Sequence, residues 1–185
     1  YLGVILIWST TPLAIQWSSE GAGFLFGVAA RMWLGALLCL AFMGVFSVPL
    51  PRHRAAVQTY LAAGLGIFGA MSCVYWGAQY IPSGLISVLY GLTPMTTAIC
   101  AALWLREPAF SPARVSGMLL GFAGLVVIFG QGLSSQHIAV QGIIGVLMSV
   151  VLHSVSSVWV KRIGAEVPAM AVTGGGLLVA APLYL

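Results

Sequence analysis

The chain has 185 residues, 61% hydrophobic and 5% charged, with a formal charge of +4 at neutral pH. Soluble domains carry roughly a quarter charged residues, so a water-solvated globule of this size is excluded and lipid is the expected solvent. At about 20 residues per transmembrane helix, the length holds about seven spans. The cations follow the gaps between apolar stretches instead of forming a patch, which excludes a nucleic-acid partner.

In chain order, the apolar stretches predict helices at 1–17, 24–48, 56–80, 83–104, 115–129, 140–160 and 169–185. Pro49 and Pro51 stop the second, Pro108 and Pro112 bracket the turn after the fourth, and Pro82 makes a tight turn with Ser83 as N-cap. The fifth stretch is short for a span, implying little tilt or local thinning of the bilayer. Six of the seven basic residues occupy every second gap: Arg52 and Arg54, then Arg106 and Arg114, then Lys161 and Arg162. The gaps around Glu20, Pro82 and Ser134 hold no Lys or Arg. Basic loops stay on the cytoplasmic side during insertion, so the pattern predicts a multi-pass protein of a cytoplasmic (inner) membrane with a cytoplasmic amino end.

The fold class expected is therefore an all-α membrane protein, a polytopic helix bundle. Five spans precede the gap at 130–139, so a following copy of the same unit would sit inverted, a common transporter construction. On this reading residues 1–130 form a first five-helix repeat, and residues 139–185 begin a second, inverted one. Gly3-Val4-Ile5 and Gly142-Ile143-Ile144 open the first and sixth helices alike. The chain has no initiator Met and opens and closes within apolar segments, so it reads as part of a longer protein. Its first stretch lacks the basic leader and cleavage site of a signal peptide.

Arg31 is the seventh cation and lies seven residues inside the second helix, roughly 10 Å from its end. A guanidinium at that depth costs several kcal/mol unless it snorkels, pairs or meets water. No span contains Asp or Glu. Arg31 therefore either snorkels to headgroups or faces a wet cavity and attracts an anionic or zwitterionic solute. Ser72, Tyr75, Trp76 and Gln79 share one face of the third helix. Such a face either lines a water-filled path or bonds a neighbouring helix, and Trp76 and Tyr80 are also candidates for interfacial anchors.

In the fourth helix Ser87, Tyr90, Gly91, Thr93, Pro94 and Thr97 gather near the midplane. Pro94 has no amide proton for the carbonyl of Tyr90, and at membrane depth that carbonyl must be met by a side chain, water or ligand. Trp8, Thr11 and Pro12 repeat the pattern in the first helix. His153, in the sixth, is either a proton relay or a structural imidazole bonded to Ser149 and Ser156. Gly117, Gly121 and Gly124 form a small-residue stripe expected to make a close helix–helix contact, inside the molecule or in a homodimer.

Cys39, Cys73 and Cys100 all lie in apolar runs and read as small hydrophobes. There is no HExxH, GxSxG, Walker loop or Cys/His ligand spacing. Neither an enzyme nor a cofactor or metal is expected.

The run Tyr75-Trp76-Gly77-Ala78-Gln79-Tyr80-Ile81-Pro82-Ser83-Gly84-Leu85 resembles the join between third and fourth helices in the EamA-type branch of the drug/metabolite transporter superfamily. Leu92-Thr93-Pro94 and Leu103-Trp104-Leu105-Arg106-Glu107-Pro108 are similar to that family's proline-bearing fourth helix and its exit. Arg114, Gly117 and the run from Gly121 to Gly130 resemble its fifth helix, and Trp8-Ser9-Thr10 and Arg31 also match. Arg106 and Ser83 stand where the family commonly has a small residue and Ala.

The resemblance implies two inverted five-helix repeats around a central solute site, alternating access, and transport of small metabolites such as amino acids, or of drugs. The expectation is thus a secondary transporter, an exporter, of small organic and carboxylated solutes. Trp8, Pro12, Arg31, Tyr75, Trp76, Gln79, Tyr90, Thr93, Pro94 and His153 are the candidate path residues. The competing readings are a non-transporting membrane scaffold and an intramembrane enzyme.

Overall fold

The structure, a computed structural model, describes residues 10–15, 17, 23–106, 111–133 and 139–185. They form α1 (Phe24–Val45), α2 (Arg54–Gly77), α3 (Ser83–Tyr90), α4 (Thr93–Leu105), α5 (Pro112–Leu133), α6 (Val140–Ile163) and α7 (Ala169–Ala180). A 3-10 turn follows at Ala181–Tyr184. Residues 10–15 are also helical. The protein is an all-α, polytopic bundle, and among the described residues there is no strand. Among the described residues four segments are long and apolar enough to cross a membrane: α1, α2, α3 with α4 taken together, and α6.

Helix ends follow local chemistry. Pro82 and Pro168 occupy the cap positions before α3 and α7, so Ser83 is the first helical residue and not the cap. Pro112 opens α5, because a missing N–H costs nothing in a first turn. The Ser111 hydroxyl accepts the Arg114 N–H at 3.3 Å. With that start α5 runs 22 residues, longer than its sequence pattern suggested, so no thinning of the bilayer is needed. Lys161 and Arg162 fill the last turn of α6, where cations suit the helix dipole, and Gly164 terminates it with φ 62°.

The largest departure lies in the fourth span. It is two helices, broken at Gly91–Leu92, where a glycine and the following Pro94 leave the ladder without strong local support. The break also divides the packing: α3 lies against α5 and α6, whereas α4 leans on α6.

The centre of the bundle is α2, which packs along α6 and α7. Glycines let these backbones touch. A Cβ at Gly64 would stand 2.7 Å from the Gly176 carbonyl oxygen, and one at Gly142 would stand 2.9 Å from that of Gly77. α6 runs antiparallel to α2. The Ala139 N–H donates to the Tyr80 carbonyl at 3.4 Å, joining the end of α2 to the start of α6. At the other end the Arg162 guanidinium lies 5.4 Å from the centre of the Trp104 ring. The Cys39 thiol meets the Met170 carbonyl at 3.6 Å near the start of α7. The basic turns at 52–54, 106 and 161–162 thus gather at one end of the bundle.

Candidate functional site

The break in the fourth span is held by a tightened turn. Gly91 N–H donates to the carbonyls of Ser87 and Val88, both at 3.1 Å, and Leu92 N–H donates to Leu89 at 3.1 Å. Thr96 then doubles back on Leu92: its N–H and its hydroxyl reach the same carbonyl at 3.0 and 3.1 Å. Beside this turn the Thr93 hydroxyl oxygen is buried, with no hydrogen-bond partner among the described residues. A buried hydroxyl left in that state costs about 1–3 kcal/mol. It is the one polar side-chain atom so found among the described residues, and it sits at a point the sequence had marked.

Hydroxyl groups on both sides of the break bond to α6. Tyr90 and Ser149 stand 2.6 Å apart, and Ser149 gives its single proton to the Ala70 carbonyl at 2.7 Å. Tyr90 is therefore the donor to Ser149. Below the break the Thr97 hydroxyl donates to Ser154 at 3.0 Å. Ser149 and Ser154 are fully buried. The Arg31 side chain, half-buried on α1, comes within electrostatic reach of the Tyr90 phenol. Tyr90, Thr93 and Thr97 thus gather with two serines of α6 on one polar locus at the broken helix.

The remaining candidates separate into groups. Tyr75 is buried in the core between helices. Ser72, on the same face, joins a triangle with the Phe68 carbonyl and the Tyr184 hydroxyl, with separations of 2.7, 3.1 and 2.7 Å. Trp76 and Gln79 lie towards the exposed end of α2. Trp76 makes an edge-on contact with Tyr80, with ring centres 5.2 Å apart, and the Gln79 amide donates to the Trp76 carbonyl at 3.2 Å. Pro12 is half-buried in the amino-terminal helical stretch, and Trp8 lies outside the described residues.

Two expectations need correction. The hydroxyls of Ser149 and Ser156 turn to the carbonyls of Ala70 and Ala62 on α2 and not to the His153 imidazole. The reason is proximity, since Gly66 lets Ser156 come against α2. The Gly117–Gly121–Gly124 stripe makes no close contact among the described residues: a Cβ at any of the three meets nothing within 4 Å. Sequence reading missed Ser154 as a partner of Thr97, because a serine in an apolar helix reveals its partner only once the facing helix is known.

Residues 1–130 match the model of the EamA-like transporter family. An uncharacterized transporter, YvbV, of Bacillus subtilis (strain 168) is 35% identical over 173 residues, covering 89% of this chain and 53% of the relative. A probable terminal-alkyne amino-acid exporter of Streptantibioticus cattleyicolor is 23% identical over 124 residues, covering 67% of this chain and 41% of the relative. An S-adenosylmethionine/S-adenosylhomocysteine transporter of Chlamydia trachomatis serovar L2 is 30% identical over 132 residues, covering 67% of this chain and 38% of the relative. The chain spans about half the length of the relatives it matches. No solved structure matches.

Proposed function

The chain belongs to the EamA-like transporter family, and from that premise we propose that it forms part of a secondary transporter moving small organic solutes across a membrane by alternating access. The single observation that carries the reading is the buried, unsatisfied Thr93 hydroxyl at the point where a membrane-depth helix is broken, in a bundle that also carries the half-buried Arg31 on α1. A guanidinium inside a membrane costs several kcal/mol unless it is paired or wetted. A solute carboxylate would offset that cost with two parallel charge-assisted bonds. Thr93 would contribute a further polar contact, and Tyr90 an apolar wall with a polar tip.

The proposed solutes are therefore carboxylated metabolites, amino acids foremost, and the proposed direction is export. Two relatives support the class by their names, one a probable amino-acid exporter and one a transporter of S-adenosylmethionine, which carries an amino-acid carboxylate. The break between α3 and α4 supplies the flexible point about which α4 would rock against α6. In this picture the membrane is the cytoplasmic one and the basic turns face the cytoplasm.

The test is a thermal-stability screen of the full-length protein against amino acids and their decarboxylated amines. A binder at one hundred times its Kd adds about 2.7 kcal/mol of stability. Stabilisation by the acids alone, lost in Arg31→Ala, is the expected result. Equal response of wild type and variant to every carboxylated solute removes Arg31 from the site. A chain that only scaffolds other membrane proteins gives no solute-dependent gain and no saturable flux in liposomes.

A further inference from the structure

The division of packing at the fourth span leaves a wedge. Because α3 lies on α5 while α4 leans away onto α6, a groove of about 500 Å³ opens between the break and the amino-terminal half of α5. Its walls include Gly91 and Pro94 on one side and Arg114, Gly117, Gly121 and Phe122 on the other. The glycines keep its α5 wall low: among the described residues a Cβ at Gly117 or Gly121 would meet nothing within 4 Å. Its lining is apolar except at one place. Arg114, exposed in the first turn of α5, stands at the mouth.

We infer that this groove is a binding site for an anionic glycerophospholipid, with the headgroup phosphate on Arg114 and one acyl chain in the wedge against Gly91 and Pro94. Three observations favour this occupant. The first is charge: one guanidinium at the end of an apolar slot complements one phosphate at the end of an acyl chain, and basic pockets between helices near the cytoplasmic surface hold anionic headgroups. The second is length. From Arg114 to Phe122 the groove follows α5 for about 12 Å, most of the roughly 15 Å of hydrocarbon in one leaflet. The third is shape, because glycines leave a smooth channel for a flexible chain. The site is separate from the polar locus around Tyr90 and Thr93, although both border the same break.

The experiment uses full-length protein reconstituted in equal parts phosphatidylglycerol and phosphatidylcholine, extracted gently and weighed with its retained lipids by native mass spectrometry. The wild type is expected to keep one phospholipid and to prefer phosphatidylglycerol about fivefold, the weight of a single cation near an anionic surface. Arg114→Gln, a change at an exposed position, brings the two lipids to parity. Gly121→Leu fills the channel and lowers retention of both lipids. The inference is overturned by a wild type that keeps the two lipids equally, or by a preference that survives Arg114→Gln. A Gly121→Leu protein that alters the oligomer mass with lipid retention unchanged also overturns it, since the groove then holds protein. Should Gly121→Leu fail to fold, the Arg114→Gln comparison decides alone. Lipid retention is read without any solute, so a failure here leaves the transport reading untouched, and the reverse.

Discussion

The Tyr90 hydroxyl donates to Ser149 at 2.6 Å although 59 positions separate the two residues, and Ser149 passes its own proton to the Ala70 carbonyl at 2.7 Å. Two side chains thereby tie three helices together: α3 at the edge of the break, α6, and the central α2. The relay fixes one edge of the break. The upper half of the fourth span is anchored, and the lower half depends on separate contacts.

That anchoring predicts coupled losses. Hydrogen bonds between membrane helices average about 0.6 kcal/mol and reach about 1.7 kcal/mol. Tyr90→Phe and Ser149→Ala should each destabilise the full-length protein by an amount in this range. The double variant should cost less than the sum, because either change alone already breaks the bond. Unfolding in a detergent titration measures all three, and strict additivity would mean the bond is not made.

Glycines of two kinds should respond oppositely to alanine. A Cβ at Gly142 would lie 2.6 Å from Ile81 Cγ2 and 2.9 Å from the Gly77 carbonyl. Since backbone cannot yield as a side chain does, Gly142→Ala should cost about 1–3 kcal/mol. Among the described residues nothing lies within 4 Å of a Cβ at Gly117, so Gly117→Ala should be neutral, or stabilise by up to about 1 kcal/mol through helix propensity. The two melting temperatures make the comparison, and equal shifts would contradict the packing described.

The lower half of the fourth span is held by aromatic contact. Arg162 lies over the Trp104 ring at 5.4 Å, and Trp104 and Trp159 have ring centres 6.4 Å apart. An exposed cation–π pair is worth about 0.5–1 kcal/mol. Arg162→Gln should therefore raise the population in which α4 leaves α6 by about two- to fivefold. Cys100, a free thiol one turn from Trp104, reports this by its alkylation rate once Cys39 and Cys73 are replaced with alanine. An unchanged rate in both Arg162→Gln and Trp104→Leu removes the latch.

Composition alone specified the solvent and the class of fold, because 5% charged residues cannot cover a soluble surface. Alternating cations anticipated which turns share an end, as the Arg162–Trp104 contact bears out. Gly91 and Pro94 marked the weak point of the fourth span, and the chain does break there. What stayed illegible needed a third dimension. One face of α2 looked continuous, yet Tyr75 is buried while Trp76 and Gln79 lie at the exposed end. Nothing in the spacing of Ser149 and Ser156 tells whether they bond His153 on their own helix or the carbonyls of α2. The Gly117 stripe read as a close contact inside the molecule or between two copies; inside the molecule, among the described residues, it borders a groove instead, because glycine repeats signal close approach only where a partner lies opposite.

Orientation can be read from the two ends of α2. The helix has 24 residues, about 36 Å at 1.5 Å each, enough to cross a hydrocarbon core of about 30 Å. His53, exposed at its start, sits among Arg52 and Arg54, and Gln79 is exposed just past its other end. Retention of basic loops in the cytoplasm predicts His53 inside and Gln79 outside. In a full-length background without native cysteines, an impermeant maleimide added to intact cells should label Gln79→Cys and spare His53→Cys, and lysis should make both react. The opposite pattern inverts the bundle. Equal labelling in intact cells is incompatible with α2 crossing the membrane, because no impermeant reagent reaches both faces of a sealed bilayer.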